Sequence, residues 1–141
     1  MPESLGSVTT SVIIGEFSEN VKHEGFVVGA TDVKVGQPVK LDSTGKVVPI
    51  DGTDKSEYCI GTSIHNGTAG DTVTVASKFR GIVNALAGGA VTPGPVKYSA
   101  FDATTGLCKY VALGANEEGL TVGWAMTVAA ADGDALVVAL R

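Results

Sequence analysis

The stretch AGDTVTVAS, residues 69–77, reads as a tight turn followed by a strand. An acidic Gly turn leads into apolar and polar residues that alternate with period two, the pattern of a strand with one buried face. The stretch ADGDALVVAL, residues 131–140, has the same form at the end of the chain. A turn and strand written twice in 141 residues implies a duplicated unit.

Three more signals recur in the same order ahead of each of these two stretches. VKVGQPVKL matches VTPGPVKY through Gly36 and Gly94, an offset of 58. The Asp42 turn of DSTGKVVPI matches the Asp102 turn of DATTGLCKYVAL. CIGTSI matches TVGWAMTV through Gly61 and Gly123, an offset of 62, and Asp71 matches Asp134 at 63. The offset grows because the second copy carries extra loop residues. The repeat spans approximately 33–77 and 91–140. KFRGIVNALAGGA, between the copies, reads as a strand followed by a turn. Each copy is a strand–turn–strand unit with one apolar face, and packing the two faces together gives a single all-β body over residues 31–141. Its expected core is Val39, Val47, Ile60, Val73, Val75, Val96, Val122, Leu136 and Val138.

Residues 1–30 lack this rhythm. They hold an apolar patch from Ser11 to Phe17 among small polar residues. Two readings stand level: an extended N-terminal arm with an apolar centre, or a first strand of the same sheet.

Composition narrows the function classes. Gly reaches 19 residues and charged residues only 18%, which suits turns and strands more than long helices. Ten Lys and Arg, scattered singly in a chain of net charge -5, make no basic patch for nucleic acid. No apolar run approaches the roughly 20 residues that span a bilayer, and the start MPESLGSVTT has no signal-peptide pattern. Cys59 and Cys108 have no metal-ligand spacing and read as reduced thiols.

Catalytic motifs fail on their spacing. Gly45-Lys46 suggests a phosphate loop, but Lys40 stands where the first Gly belongs and Val47 where Ser or Thr belongs. ADGDA at 131–135 lacks the oxygen-ligand run and closing Glu of a calcium loop. His23 and His65 sit alone among loop residues, and Asp42, Asp51, Asp71, Asp102, Asp132 and Asp134 are explained as turn residues. The expectation is a non-enzymatic protein without cofactor or metal. Trp124, in a strand, and Tyr98 are the candidate contacts between copies.

PVKLDSTGKVVPIDGTDKSEYCIGTSIHNGTAGDTVTVASKFRGIVN, residues 38–84, resembles the core of tailed-phage head decoration proteins of the lambda type. The shared features are an Asp turn, a short strand ending in a DGT loop, an apolar-Gly strand, and an alternating Thr/Val strand. AGGAVTPGPVKYSAFDATTGLCKYVA and TVGWAMTVAAADGDALVVAL look like a related group of small phage head proteins. The resemblance covers residues 33–141, and where the lambda-type protein has one such unit this chain has two. It implies a compact β-tulip or β-clip body that cements the outside of an expanded capsid by bridging capsomers. The partner it implies is the major capsid protein, with the chain as a homotrimer or as adjoining copies, made in the host cytoplasm and carried on the virion exterior. It also implies that residues 1–30 dock on the capsid by strand addition; the apolar residues of that segment, Val8, Val12, Ile13, Ile14 and Phe17, are the expected contacts. The alternative function is a receptor- or glycan-binding surface module, with Tyr58, Tyr98, Tyr110 and Trp124 as its available aromatics.

Overall fold

Alternation between apolar and polar side chains builds most of the sheets. In TVTVAS, Val73 and Val75 are buried while Thr72 is exposed and Thr74 half-buried. In ALVVAL, Leu136, Val138 and Leu140 are buried and their neighbours are not. The computed structural model describes residues 13–14, 22–77 and 81–141, with side chains described from Gly25 onward. Eleven strands lie in those residues: β1 (Ile13–Ile14), β2 (Lys22–Val27), β3 (Pro38–Leu41), β4 (Val47–Pro49), β5 (Gly61–Ser63), β6 (Thr72–Ser77), β7 (Ile82–Ala87), β8 (Gly94–Phe101), β9 (Cys108–Ala112), β10 (Gly123–Ala125) and β11 (Ala135–Leu140). Two single-turn 3-10 segments, Ser56–Tyr58 and Glu118–Leu120, precede β5 and β10. The protein is all-β.

The strands form two sheets with one topology. The first runs β2-β6-β5-β3-β4 and the second β7-β11-β10-β8-β9, with β1 added to the outer edge of β7. Strand for strand, β2 to β6 correspond to β7 to β11. Each unit also closes on itself through a parallel contact between its first and third strands. In the second unit Leu86 and Ala87 pair with Lys109 and Tyr110, and in the first Val28 bridges Val47. The amide of Gly29 donates to Val47 O and that of Gly88 to Tyr110 O, both at 2.8 Å.

Gly61 and Gly123 show why the duplicated signals include glycine. A Cβ at Gly61 would lie 2.5 Å from the carbonyl oxygen of Ala76, and one at Gly123 2.6 Å from that of Ala139. The neighbouring strand runs too close for any side chain at either place.

Two expectations are corrected by the register. Pro38 pairs with Thr62 and Pro95 with Trp124, so Pro38 and Pro95 are equivalent and the offset there is 57, not 58. Gly94 therefore stands at the position of Gln37, one residue from the place of Gly36. The repeat is also longer than 33–77 and 91–140, because β2 and β7 are its first strands. Lys22–Val27, within the span read as an arm, pairs along the whole of β6 from Lys22↔Ser77 to Val27↔Thr72.

The core has two parts. Val28, Val33, Val39, Val47, Val73 and Val75 fill the first unit, with Phe26 and Ile60 against them. The larger cluster centres on Tyr98, Tyr110, Leu136 and Val138 of the second unit but also takes in Ile50 and Ala76 of the first. The expected core positions are all buried except Ile60, which is half-buried. The two units also share a buried hydrogen bond. Gln37 of the first unit donates from Nε2 to the Tyr98 hydroxyl of the second at 2.8 Å. The backbone amide of Lys34 donates to Oε1 of the same Gln37 at 2.7 Å.

Candidate interaction surfaces

Asp42, Asp51, Asp54, Asp71, Asp102, Glu117 and Asp134 are occupied by the turns that contain them, most in matching ways in the two units, whereas Asp132 pairs with Lys109 at 2.9 Å. Asp42 Oδ1 accepts from the amide of Thr44 at 2.8 Å, and Asp102 Oδ1 from that of Thr104 at 2.9 Å. Asp71 accepts from the amide of Thr68 and Asp134 from that of Ala131, both at 2.9 Å. Asp54 accepts from the amide of Asp51 and Glu117 from that of Gly114. These two carboxylates also pair with equivalent lysines, Asp54 with Lys40 at 2.6 Å and Glu117 with Lys97 at 3.1 Å. The hydrogen bonds stabilise the ionised form. The Thr44 hydroxyl, followed by the amide of Lys46, holds Asp42 below the usual carboxylate range. Asp51 is lowered chiefly by the Thr53 hydroxyl, Asp102 by the Thr105 amide, and Glu117 by the Gly114 amide ahead of Lys97.

His65 is likewise engaged locally, accepting the amide proton of Thr74 on Nδ1 at 3.1 Å. Among the described residues no group of three or more His, Cys, Asp and Glu side chains could hold a metal ion. No helix among them is long and apolar enough to cross a membrane. Cys108 is buried and Cys59 half-buried, with burial pushing the Cys59 thiol up.

Of the leading-segment contacts, Val8, Val12 and Phe17 lie outside the described residues. Ile13 and Ile14 form β1 and pair antiparallel with Val83 and Ile82 of β7. That places β1 at the end of the six-stranded sheet.

The two candidate contacts between copies part company. Trp124 projects outward from β10 and is 46% exposed, with the Arg141 guanidinium 5.8 Å from its ring centroid. Tyr98 is corrected: it is 3% exposed and belongs to the core. Its position on β8 is two residues from the fully buried Val96, so the pleat turns it inward with Val96. Tyr110 is buried as well, and the two rings meet edge to face at 5.8 Å. Burial pushes both phenols up.

Two surface depressions are large. One, of about 650 Å³, lies where the units meet and is lined by Lys34, Gln37, Lys40, Asp51, Tyr98 and Phe101. The other, of about 470 Å³, lies on the outer face of the second unit and is lined by Leu86, Leu107, Val128, Ala135 and Val137. Beside it Met126 and Val128 are 53% and 67% exposed. Sequence reasoning missed these two, although GWAMTV signals them by placing Trp124, Met126 and Val128 at every second position. No family model matches the chain, and no curated protein matches it.

Proposed function

We propose that this chain is a structural virion protein that binds the outer surface of an expanded phage capsid and stabilises it by bridging capsomers. On this reading it grips and runs no reaction. The observation that carries it is β1. Part of the segment that the family resemblance assigns to the capsid contact already pairs as a strand on the edge of the second sheet. A strand of the major capsid protein adding to the other edge of β1 would extend the same sheet across the boundary between the two proteins. Main-chain hydrogen bonds would then supply the attraction, and the side chains of Val8, Val12, Ile13, Ile14 and Phe17 the selectivity.

The magnitudes explain why such a protein would work in many copies. Burying three or four apolar side chains contributes about 5–10 kcal/mol, at 1.5–3 each. Fixing ten or more residues of a docking strand costs about 1–2 kcal/mol per residue. One docked strand is therefore near balance, and firm attachment comes from several contacts made together, through a trimer or through adjoining copies.

The test is co-sedimentation with expanded, undecorated heads of the phage that encodes the chain. The full chain should pellet with the heads, and deletion of residues 2–17 should abolish that. A full chain that stays in the supernatant refutes the capsid reading. A deleted chain that binds at full occupancy refutes the strand-addition route alone.

A further inference from the structure

The outer faces of the two units occupy matched positions and carry different chemistry. Thr62 pairs with Ala76 as Trp124 pairs with Ala139, and Thr72 with Val27 as Ala135 with Leu86. Along this face the first unit presents Thr62, Ile64, Asn66, Thr72 and Thr74. The second presents Trp124, Met126, Val128, Ala135 and Val137 at the equivalent places.

Coverage runs opposite to what those side chains call for. In the first unit the middle of the face is closed over. Thr62 is 3% exposed, Ala76 is fully buried in the larger cluster, and Ile64 packs against that cluster, whose members come mainly from the second unit. In the second unit the more apolar version is open, with Trp124, Met126 and Val128 each about half exposed or more. The groove lined by Leu86, Ala135 and Val137, with Asn84 and Thr127 as its polar members, continues the face beyond Val128. A mainly apolar exposed sheet face of this kind marks a contact surface, unlike scattered exposed leucines.

The open face is also continuous with the interface that joins the units. Arg141, which lies over the Trp124 ring, lines the cleft in which Ser56 and Glu57 of the first unit meet Thr121 and Val122 of the second.

We propose that the outer face of β10 and β11 is a self-association surface. It packs against a second copy of this chain, with Trp124, Met126 and Val128 as its anchors. A second copy is the occupant because the chain already covers the equivalent face of its first unit with another unit of the same fold. The cleft between the units also reaches the edge of the open face at Arg141. An exposed tryptophan beside apolar side chains is also a common anchor of protein contacts.

The experiment is sedimentation equilibrium of the full chain from micromolar to millimolar concentration, with no capsid present, so its outcome is independent of the capsid reading. The triple variant Trp124→Thr, Met126→Ile, Val128→Asn installs the first unit's residues at the same places. The full chain should associate in a concentration-dependent way. The triple variant should raise the dissociation constant about 30-fold or more, the loss that goes with truncating an anchor residue. Leu41→Ser, which removes an exposed apolar side chain elsewhere, should leave association intact. Near-ultraviolet circular dichroism checks the fold, and Val128→Asn alone, at a 67% exposed position, serves if the triple variant does not fold. A full chain that is monomeric throughout overturns the proposal, as does a folded triple variant that associates like the original. Association lost on deleting residues 2–17 but kept by the triple variant also overturns it.

Discussion

Removing one oxygen atom from Tyr98, and separately from Tyr110, distinguishes a hydroxyl that ties the two units together from one that ties nothing. The Tyr98 hydroxyl accepts from Gln37 Nε2 at 2.8 Å, and Gln37 is fully buried. Tyr98→Phe keeps the ring and its edge-to-face contact with Tyr110 but strands an amide donor in the core. An unsatisfied buried donor costs about 1–3 kcal/mol. At about 4 °C per kcal/mol for a chain of this size, the melting temperature should fall by 4–12 °C. The Tyr110 hydroxyl is fully buried and makes no hydrogen bond to any described residue. Tyr110→Phe therefore removes a desolvated polar group without stranding a partner, and should leave the melting temperature unchanged or raise it slightly. Scanning calorimetry of both variants reads the difference, and each should show one transition, since the units share a core. The reasoning is refuted if Tyr110→Phe costs as much as Tyr98→Phe, or if Tyr98→Phe costs nothing.

Further expectations concern the glycine pair and pH. Gly61→Ala and Gly123→Ala each drive a Cβ to 2.5 or 2.6 Å from a carbonyl oxygen of the neighbouring strand, so each should destabilise by about 3 kcal/mol or more in denaturant titrations. An unaffected midpoint in either variant would deny the close approach. The carboxyls of Asp42, Asp51, Asp102 and Glu117 are lowered in the folded chain, so their stabilisation is present above the ordinary carboxylate range and lost as pH falls through their folded values. The melting temperature should stay level from neutral pH down to about 5 and decline below about 4. At the alkaline end Tyr98 and Tyr110 are raised, so the unfolded chain releases their protons first and stability falls as pH rises past about 10. Their ionisation, followed by ultraviolet absorbance, should coincide with unfolding rather than precede it.

Much of the body is legible because the duplicated signals answer local requirements. Period-two alternation marks β6 and β11, Asp and Gly mark the turns, and Gly61 and Gly123 mark the close approach of strands. What escapes local reading is whatever depends on distant partners. Lys22–Val27 and Ile82–Ala87 share no wording, yet they hold the same place beside β6 and β11, because only the pairing defines them. The parallel closure of each unit leaves no sequence mark either. Tyr98 is expected as a contact between copies, whereas its pleat position, two residues from Val96, turns it into the core. The expected contact at Trp124 leaves out Met126 and Val128. The same period-two rule that found β6 applies to Trp124, Met126 and Val128, but there it marks an open apolar face.

The most direct test of the account as a whole is cryo-electron microscopy of expanded, undecorated heads incubated with saturating purified chain. The account predicts added β density on the outer surface, seated across capsomer boundaries and joined to the shell through a shared sheet at the leading segment. Bare heads at saturation, or density confined to the shell interior, would contradict it.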